Sequence, residues 1–533
     1  MPELVRQVAK QRGDSTLAVL GESRLTYRQA DEQSAALARG LVATGVGKGT
    51  AVGLLAPNGP EWIIGWLAAC RIGARAFLLN TYHQARELGW ALRHGDIAVL
   101  LTADRYLGHD YLDRLEQLAP GLPDQAHPRL LVESHPNLRT VWVWGEADRT
   151  WAGATAELVA AGADVSLELL HALEDDVDPA DPAVVIYSSG STAEPKGAVH
   201  RHGPLVRHAH NLWPFRELDA DDVIYTPMPL FWVGGLSYVL VAAMHAGASL
   251  VFEEAFDPGV TLELLERERV TSVLSWPHAI KELLEHPSYG DRDLSAIRHA
   301  GHPDLMPADR RPADPGLRAT SLGMTETLGP HLIDDPTVDL PESKRGSFGR
   351  SVPGVEHRVV DPVTRDPLRP GEVGELQVRG YSLTADLHKR ERENVFDPDG
   401  WYSTGDGGHF DGDGHFYFRG RLGTQIKSAG MNITPREVEL VLEAQPEVMH
   451  AFVYGVPAGD RGEDVAAAVV LRPDMEVGAD ELAGRVKGEV ATYKVPRHLA
   501  LFAVADDLPW LESGKIDGRA VQALLTERFG PPH

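Results

Sequence analysis

A serine- and glycine-rich stretch, residues 187–197, is the first part of the chain whose residue types could do chemistry. It reads Tyr-Ser-Ser-Gly-Ser-Thr-Ala-Glu-Pro-Lys-Gly and follows an apolar run that predicts a strand. Gly190 and Gly197 permit the backbone angles of a concave anion nest, and Lys196 adds a cation. Ligands of open α/β sheets bind beyond the carboxyl ends of strands. The stretch predicts a phosphate site, although a solvated surface turn could have the same composition. Four hydroxyl side chains could surround the anion: Ser188, Ser189, Ser191 and Thr192.

Three later segments also combine ionisable residues with glycine. Residues 321–326 end in a Thr-Glu pair, residues 400–406 read Gly-Trp-Tyr-Ser-Thr-Gly-Asp, and residues 511–519 contain Lys515 in a Gly-Lys-Ile context. Each has an ordinary structural explanation by itself. A Thr-Glu pair can begin a helix, Asp406 can close an Asx turn, and a lysine near a chain end is usually solvated. Their meaning therefore depends on how the fold brings them together.

The N-terminal part of the chain alternates patterns that predict strands with patterns that predict helices. Thr26 and Gln29 predict a capping box at the start of one helix. A βαβαβ order follows, which indicates a largely parallel sheet covered by helices. Residues 119–182 are rich in Pro, Asp and His and are predicted to be irregular. The predicted elements before that segment are strand 51–55, helix 62–70, strand 75–79, helix 85–94 and strand 97–101, and strands resume at 183–187, 249–252 and 272–274.

The pattern of apolar and polar residues changes after about residue 354. Short alternating runs such as 374–378 are punctuated by Gly and Pro and predict a smaller antiparallel unit. Beyond it, Thr434 and Glu437 predict a second capping box at the start of a helix. These signals place the beginning of a compact C-terminal domain near Gly423.

The bulk composition excludes several classes of function. The 533 residues are 43% hydrophobic and 7% aromatic, as expected for a globular enzyme with more than one domain. A formal charge of −26, from 77 acidic and 51 basic residues, disfavours nucleic acid and anionic lipid as partners. Cys70 is the only cysteine, which excludes an internal disulfide and a thiolate metal cluster. We expect a cytoplasmic protein, because no run approaches the ~20 apolar residues of a membrane span and residues 1–3 do not begin a signal peptide.

Residues 187–197 and four later segments, 300–303, 321–326, 400–406 and 511–519, resemble in their order the signature motifs of the acyl-adenylate-forming superfamily. That superfamily contains acyl-CoA synthetases, peptide-synthetase adenylation domains and luciferases. The resemblance extends from about residue 13 to residue 519, and it is strongest to the acyl-CoA synthetases. It implies an α/β fold in which a large N-terminal domain has several subdomains, with mainly parallel, helix-covered sheets and a small antiparallel unit. A small, mobile α+β C-terminal domain follows. The expected boundaries are 1–421 for the N-terminal AMP-binding domain, 422–424 for a hinge and 425–533 for the C-terminal domain.

The resemblance also implies roles for particular residues. Thr325 contacts the α-phosphate of ATP, Glu326 and Thr192 hold Mg²⁺, and Lys515 bridges the substrate carboxylate and the α-phosphate. The residues implied to be catalytic are Lys515, Thr192, Lys196 and Glu326. Those implied to bind ATP or AMP are Ser188, Ser189, Gly190, Ser191, Thr192, Lys196, Gly301, His302, Pro303, Ser321, Leu322, Gly323, Thr325, Asp406 and Arg421. The implied acid pocket comprises Phe231, Trp232, Gly235 and Gly323, and the implied tunnel for CoA comprises Lys427, Ser428 and Gly430.

A two-step reaction follows from this resemblance. A carboxylic acid is coupled to AMP with release of pyrophosphate, and a nucleophile then displaces AMP. In the superfamily the C-terminal domain rotates between the steps, which implies that Lys515 enters for the first step and the Gly430 segment for the second. Lys494 and Arg497 could bind CoA phosphates or could form a solvated surface pair.

Four positions depart from the superfamily pattern. Ala193 stands where the phosphate loop usually has glycine, and Leu322 stands where an aromatic residue usually stacks on adenine. Trp232 stands where many relatives have histidine, and Gly423 occupies the usual Asp or Lys position of the hinge. We expect altered nucleotide handling from the first two departures and retained domain rotation from the last, since glycine is permissive.

The leading interpretation is an ATP- and Mg²⁺-dependent acid–CoA ligase, with an aryl, cyclic or medium-chain acid as substrate. A second interpretation keeps adenylation but changes the acceptor to a carrier-protein thiol, an amine or nitrite. A third, of another class, is a non-catalytic protein that binds an acid. Homodimerisation is left open, and the sequence does not identify the acid.

Overall fold

A computed structural model describes residues 1–188, 195–422, 425–473, 475–503, 507–510 and 516–531. Within these residues, a central sheet of eight strands is parallel through most of its width. Antiparallel pairing occurs at one edge, where Lys196–Arg201 pairs with its two neighbours, Pro182–Ser188 and Asp386–Leu387. In sheet order the strands are Asp386–Leu387, Lys196–Arg201, Pro182–Ser188, Arg75–Leu78, Ala51–Leu55, Val99–Ala103, Thr140–Trp144 and Gly153–Ala154.

A second sheet of the N-terminal part has six strands among the described residues and is parallel except at its last pair. Its order is His299–Ala300, Ser272–Val273, Val223–Tyr225, Ser249–Phe252, Thr16–Leu20 and Ser23–Thr26. Helices cover both sheets and bury the apolar strands, as the βαβ pattern predicts. The α-helices of this part are Pro2–Arg12, Tyr27–Ala43, Pro60–Arg71, Ala85–His94, Tyr111–Leu118, Thr155–Ala161, Leu167–Asp175, His202–Leu212, Ala242–Ala246, Pro258–Arg267 and Pro277–Glu285, with a π-helix at Gly234–Val241.

The predicted antiparallel unit is confirmed. Across the described residues, one antiparallel sheet joins Val355–Val360, Gly374–Gly380, Tyr402–Phe410 and Phe416–Arg421. A smaller one joins Leu322–Met324, Gly329–Ile333 and Arg350–Ser351, and a two-stranded hairpin joins Arg105–Tyr106 and His109–Asp110. The α/β class with mixed sheets is therefore the fold observed.

A separate C-terminal domain with its own apolar core follows. Its strands are Ile426–Ser428, Met431–Ile433, Val448–Pro457, Glu463–Leu471 and His498–Phe502, and its helices are Pro435–Glu443, Ala479–Lys487 and Gly518–Phe529. Thr434 is the N-cap of the first helix, but its side chain does not cap it. The Glu437 carboxylate accepts instead from Lys494. The first capping box, at Thr26 and Gln29, is present as predicted.

The prediction of an irregular segment over residues 119–182 is wrong. This segment contains the buried strand Thr140–Trp144 and the helices Thr155–Ala161 and Leu167–Asp175. The strand is short and its flanks are rich in Pro and His, so its apolar character is lost in the composition of the whole segment. In the part of the chain that the structure describes, no helix is long and apolar enough to span a membrane.

Candidate active site

The predicted phosphate stretch has both of its ends on adjacent antiparallel strands. Ser188 ends one strand, Lys196 begins the next, and the two are register partners. Ser188 Oγ donates to Glu326 Oε1 over 3.5 Å, and the Tyr402 hydroxyl donates to the same oxygen over 3.2 Å. The Glu326 carboxylate is buried. The structure thus brings Ser188 and Glu326 together, although 138 residues separate them in sequence.

The backbone around Thr325 and Glu326 is fixed by hydrogen bonds from two other elements. Nε2 of His200 donates to the Thr325 carbonyl oxygen over 2.8 Å, and the Thr384 amide donates to the Glu326 carbonyl oxygen over 2.6 Å. His200 lies on the strand that returns from the phosphate stretch. Its burial lowers the pKa of the imidazole to about 4, so the ring is neutral and one nitrogen carries the donated proton.

A cavity of about 380 Å³ opens beside this cluster. Ser188, Ser321 and Thr325 line the end that is predicted to bind phosphate, which we call the phosphate end, while Phe231 and Trp232 belong to its aromatic wall. The aromatic side chains are mutually edge-on: Tyr82 meets Phe231 at 6.1 Å, Phe231 meets Trp232 at 5.6 Å and Trp232 meets Trp276 at 6.3 Å between ring centroids. Edge-on contacts of this kind are favourable and stabilise the positions of the rings relative to one another. Further residues of the wall are Met228, Val233, Tyr238 and Met324.

Two of the glycines predicted for the acid pocket line this cavity for a reason that the sequence does not reveal. A Cβ on Gly235 would collide with the Pro229 carbonyl oxygen, and one on Gly323 would meet the backbone of Gly329 and Pro330. Both glycines therefore permit close packing of the backbone behind the pocket. The missing side chains thus make room for neighbouring backbone and not for the acid.

The C-terminal domain contributes directly to the cavity. Gly430, Met431 and Asn432 line it, and Gly430 has a φ of +81°. A Cβ on Gly430 would collide with Nε1 of Trp276. The close approach of Gly430 is thus to an indole ring of the N-terminal domain, and glycine is required there both for φ and for space.

A second cavity, of about 500 Å³, lies at the interface of the two domains and shares Met431 and Tyr493 with the first. Tyr82, His278 and Ser428 form part of its wall. Three cationic side chains also line it, in a chain whose formal charge is −26: Arg461, Lys487 and Arg497.

A buried ionic cluster contributes Glu437 and Lys494 to the lining of the first cavity. Nζ of Lys494 donates to Glu87 Oε1 over 2.6 Å and to Glu437 Oε1 over 2.7 Å. Burial disfavours the Lys494 ammonium, but the Tyr493 hydroxyl and the two carboxylates outweigh it and raise the pKa of Lys494. Burial also raises the pKa of Glu437 and, close by, lowers the pKa of His83 to about 4. Lys494 is buried, so the expectation that it binds CoA phosphates or is solvated is wrong.

Several predicted residues lie away from this cavity. Gly301, His302 and Pro303 follow the edge strand His299–Ala300, where His302 caps a short 3₁₀ turn. Leu322 packs with Leu332, Val359, Leu376 and Phe416. Asp406 is buried on the strand Tyr402–Phe410 and is the register partner of Arg421. Lys427 lies near the ring of Phe418, at 5.7 Å from its centroid, and lines neither cavity. The nucleotide and tunnel roles of these residues stay predictions.

Other predicted residues lie outside the described residues, and so do two of the noted departures. They are Ser189, Gly190, Ser191, Thr192, Ala193, Gly423, Lys515 and the side chain of Arg421. The residues on either side of 511–515, Trp510 and Ile516, are bridge partners. Trp510 meets Phe452 edge-on at 6.1 Å, and Ile516 packs in an apolar cluster of the C-terminal domain.

The cavity also contains residues that the sequence did not indicate as part of a site, among them Trp276, His83 and Glu437. Trp276 follows a strand end, which is a signal for ligand contact that the sequence does offer. Glu437 was assigned to a helix cap, and His83 lies in a turn between a strand and a helix. Only the approach of the two domains makes the last two part of one site.

Comparison with known proteins identifies the family of this chain. A model of the AMP-binding enzyme family matches residues 5–386, and a model of the AMP-binding enzyme C-terminal domain matches residues 437–515. The chain belongs to the AMP-binding enzyme family. With both of its parts matched, it is a member of the acyl-adenylate-forming superfamily and an adenylate-forming ligase.

Three similar proteins span nearly the whole of this AMP-binding enzyme. It is 33% identical over 518 residues to a feruloyl-CoA synthase of Amycolatopsis sp, covering 96% of this chain and 95% of the relative. It is 29% identical over 512 residues to the indoleacetate–CoA ligase of Aromatoleum aromaticum, covering 95% and 94%. The solved structure of the amide bond synthetase McbA from Marinactinospora thermotolerans superposes with a TM-score of 0.80 at 26% identity, covering 98% of this chain and 99% of that one.

Proposed function

We propose that this AMP-binding enzyme activates an aryl-bearing carboxylic acid with ATP and transfers the acyl group to the thiol of CoA. The observation that carries the choice of CoA is the second cavity. Arg461, Lys487 and Arg497 line it, and it shares Met431 and Tyr493 with the first cavity. A long acceptor with phosphates at one end and a thiol at the other fits two neighbouring cavities, one of which carries these three cationic side chains.

The aromatic wall supports an aryl acid. Phe231, Trp232 and Trp276 present flat apolar surfaces between the phosphate end and the C-terminal domain. Aromatic rings stack favourably on such walls, whereas a flexible alkyl chain loses more conformational freedom there. The printed names of the feruloyl-CoA synthase and the indoleacetate–CoA ligase support the same class of acid.

In the first step a carboxylate oxygen attacks the α-phosphorus of ATP, and pyrophosphate leaves. Lys196 and Ser188 hold the phosphates, the Thr325 hydroxyl contacts the α-phosphate and Lys515 neutralises the charge that builds between the two substrates. In the second step the acceptor sulfur attacks the acyl carbon, the bond to AMP breaks and the thiol proton is released. The Gly430 segment and Trp276 exclude water from that step.

The site also fits Mg²⁺. No group of three or more potential metal-ligating side chains occurs in the described residues. A magnesium ion that is bound through ATP phosphates and water needs only one or two protein carboxylates. The buried Glu326 carboxylate, beside Ser188, supplies one, and Thr192 is the proposed second ligand. When bound, the ion supplies neutralisation of the phosphate charge.

An amine acceptor is the second candidate, and the likeness to the amide bond synthetase favours it.

The decisive test is pyrophosphate release over a panel of aryl, cyclic and medium-chain acids, with CoA, simple amines, nitrite or no acceptor. We expect release with aryl acids and thioester formation only with CoA. Amide formation without CoA would support the second candidate. Binding of an acid with no pyrophosphate release would support the non-catalytic interpretation. Cytoplasmic location and homodimerisation stay predictions.

A further inference from the structure

The interdomain triad, defined as Glu87, Glu437 and Lys494, joins the two domains through one buried ammonium. Glu87 lies on the helix Ala85–His94 of the N-terminal part, and Glu437 and Lys494 belong to the C-terminal domain. Lys494 is 3% exposed, and both carboxylates are nearly as buried. Lys494 therefore has one acceptor that moves with its own domain and one that does not.

A buried charge must be paired, because the interior solvates it poorly. If the C-terminal domain rotates, Lys494 keeps Glu437 but loses Glu87. Glu87 would then need water, and the triad would open. The contact between Lys494 and Glu87 is thus specific to the domain orientation of this structure. Tyr493 supports it, since its hydroxyl accepts from Asn80 Nδ2 over 3.3 Å and its ring meets Tyr82 edge-on.

A different ion pair between the same domains provides a contrast. Nζ of Lys281 lies 2.7 Å from Asp460 Oδ2, but both side chains are 55% exposed. Exposed pairs of this kind contribute little, since water and salt screen them. The two pairs therefore bridge one interface with very different expected strengths.

The orientation that the triad stabilises has a defined consequence at the active site. It holds Gly430 against Trp276 and brings Met431 and Asn432 into the first cavity. It also completes the second cavity, whose wall combines Tyr82 and His278 of the N-terminal part with residues of the C-terminal domain. Under the proposed two-step function, this is the arrangement in which an acceptor would reach the acyl-adenylate.

We propose that Lys494 is a positioning residue for acyl transfer. By pairing with Glu87 it holds the C-terminal domain in the transfer orientation, and it does not assist adenylation. The inference rests on the proposed two-step function. Because the proposed function places adenylation in a different domain orientation, a weaker triad slows the second step and leaves the first unchanged or faster.

The test measures the two steps separately in full-length enzyme. Adenylate formation is followed as pyrophosphate release without acceptor, and transfer is followed by rapid quench of preformed adenylate with CoA. We expect Lys494→Met and Glu87→Gln each to slow transfer at least tenfold while adenylation stays within twofold of the parent. Glu87→Gln retains an oxygen for the Gln84 amide that Glu87 caps. The double variant should be no slower than the worse single variant, and the exposed-pair control Lys281→Met should change neither step more than twofold.

Equal slowing of both steps by Glu87→Gln, or transfer unchanged in both triad variants, would overturn the inference. A readout that needs no reaction separates this from failure of the proposed function. The native Cys70 is buried and should not react with a spin label. Labels can therefore be attached selectively at Leu131→Cys and Met449→Cys, which are exposed positions on the two domains. We expect the interdomain distance distribution to broaden in Lys494→Met and not in Lys281→Met. An unchanged distribution in Lys494→Met would also overturn the inference, even if no acid supports pyrophosphate release.

Discussion

Different parts of the chain build the phosphate end of the first cavity and the second cavity of this AMP-binding enzyme. The phosphate end of the first is held within the N-terminal part, where Ser188 and Lys196 are register partners and His200 fixes the Thr325 carbonyl. The second exists only where both domains meet, with Tyr82 and His278 on one side and the cationic residues on the other. Under the proposed function, activation takes place on the N-terminal part and acceptor binding at the interface of the two domains. Changes at the phosphate end should therefore affect adenylation, and changes at the interface, which includes the Gly430 segment of the first cavity, should affect transfer alone.

The strongest test of this division is Glu326→Gln. It removes the buried carboxylate at the phosphate end but keeps an acceptor for Tyr402 and Ser188. We expect adenylation to fall by about 10²–10³-fold, the range typical of a lost electrostatic contact to developing charge. The measurement is pyrophosphate release at saturating acid and ATP, with Glu356→Gln as the control at an exposed ion pair. A loss of less than tenfold would remove Glu326 from the adenylation machinery.

Gly430→Ala tests the opposite side of the comparison. The added methyl group would collide with Trp276 Nε1 and would sit at a φ of +81°. We expect transfer to fall by roughly 100-fold, with adenylation retained, because the clash displaces the segment that faces the acceptor.

The control for this substitution separates strain from collision. Gly414 has a φ of +82° with open space around the position of a Cβ, so Gly414→Ala introduces the strain alone. Transfer should be nearly normal in that variant and should recover in part in Gly430→Ala with Trp276→Ala. If Gly414→Ala were as slow as Gly430→Ala, the contact with Trp276 would not explain the effect.

The cationic side chains of the second cavity should matter less individually. For Arg497→Gln or Lys487→Gln we expect the KM for CoA to rise about tenfold, with kcat and pyrophosphate release without CoA unchanged, since one charge-assisted hydrogen bond is lost. Added salt should weaken CoA binding more in the parent than in the variants. Lys10→Gln, which removes an exposed lysine from the N-terminal helix and not from the lining of the second cavity, serves as the control. An unchanged KM in both variants would favour an acceptor without phosphates.

The same contrast explains what could be predicted from sequence. The capping box at Thr26, the strand Ala51–Leu55 and the helix Ala85–His94 follow from local patterns and are confirmed. Glu437 was predicted to cap a helix, but a lysine 57 residues away binds its carboxylate. Trp276 and the glycines at 235 and 323 likewise depend on backbone packing from distant segments. Local propensity fixes elements, whereas the contents of an interface require the fold.

The smallest expected effect concerns His200, the residue that connects the phosphate strand to Thr325. In His200→Leu the Thr325 carbonyl loses its donor, which should destabilise the protein by about 1 kcal/mol at pH 7.

The pH dependence of this effect follows from the burial of His200, which lowers its pKa to about 4. The unfolded chain, with a pKa near 6.5, therefore binds more protons below that pH. The contribution of neutral His200 is complete above about pH 6.5 and is lost as pH falls towards 4. The thermal midpoint of His200→Leu should consequently fall less than that of the parent between pH 7 and 5. His171→Leu, at an exposed histidine, should match the parent. Parallel pH profiles for parent and His200→Leu would mean that His200 is not held neutral by the fold.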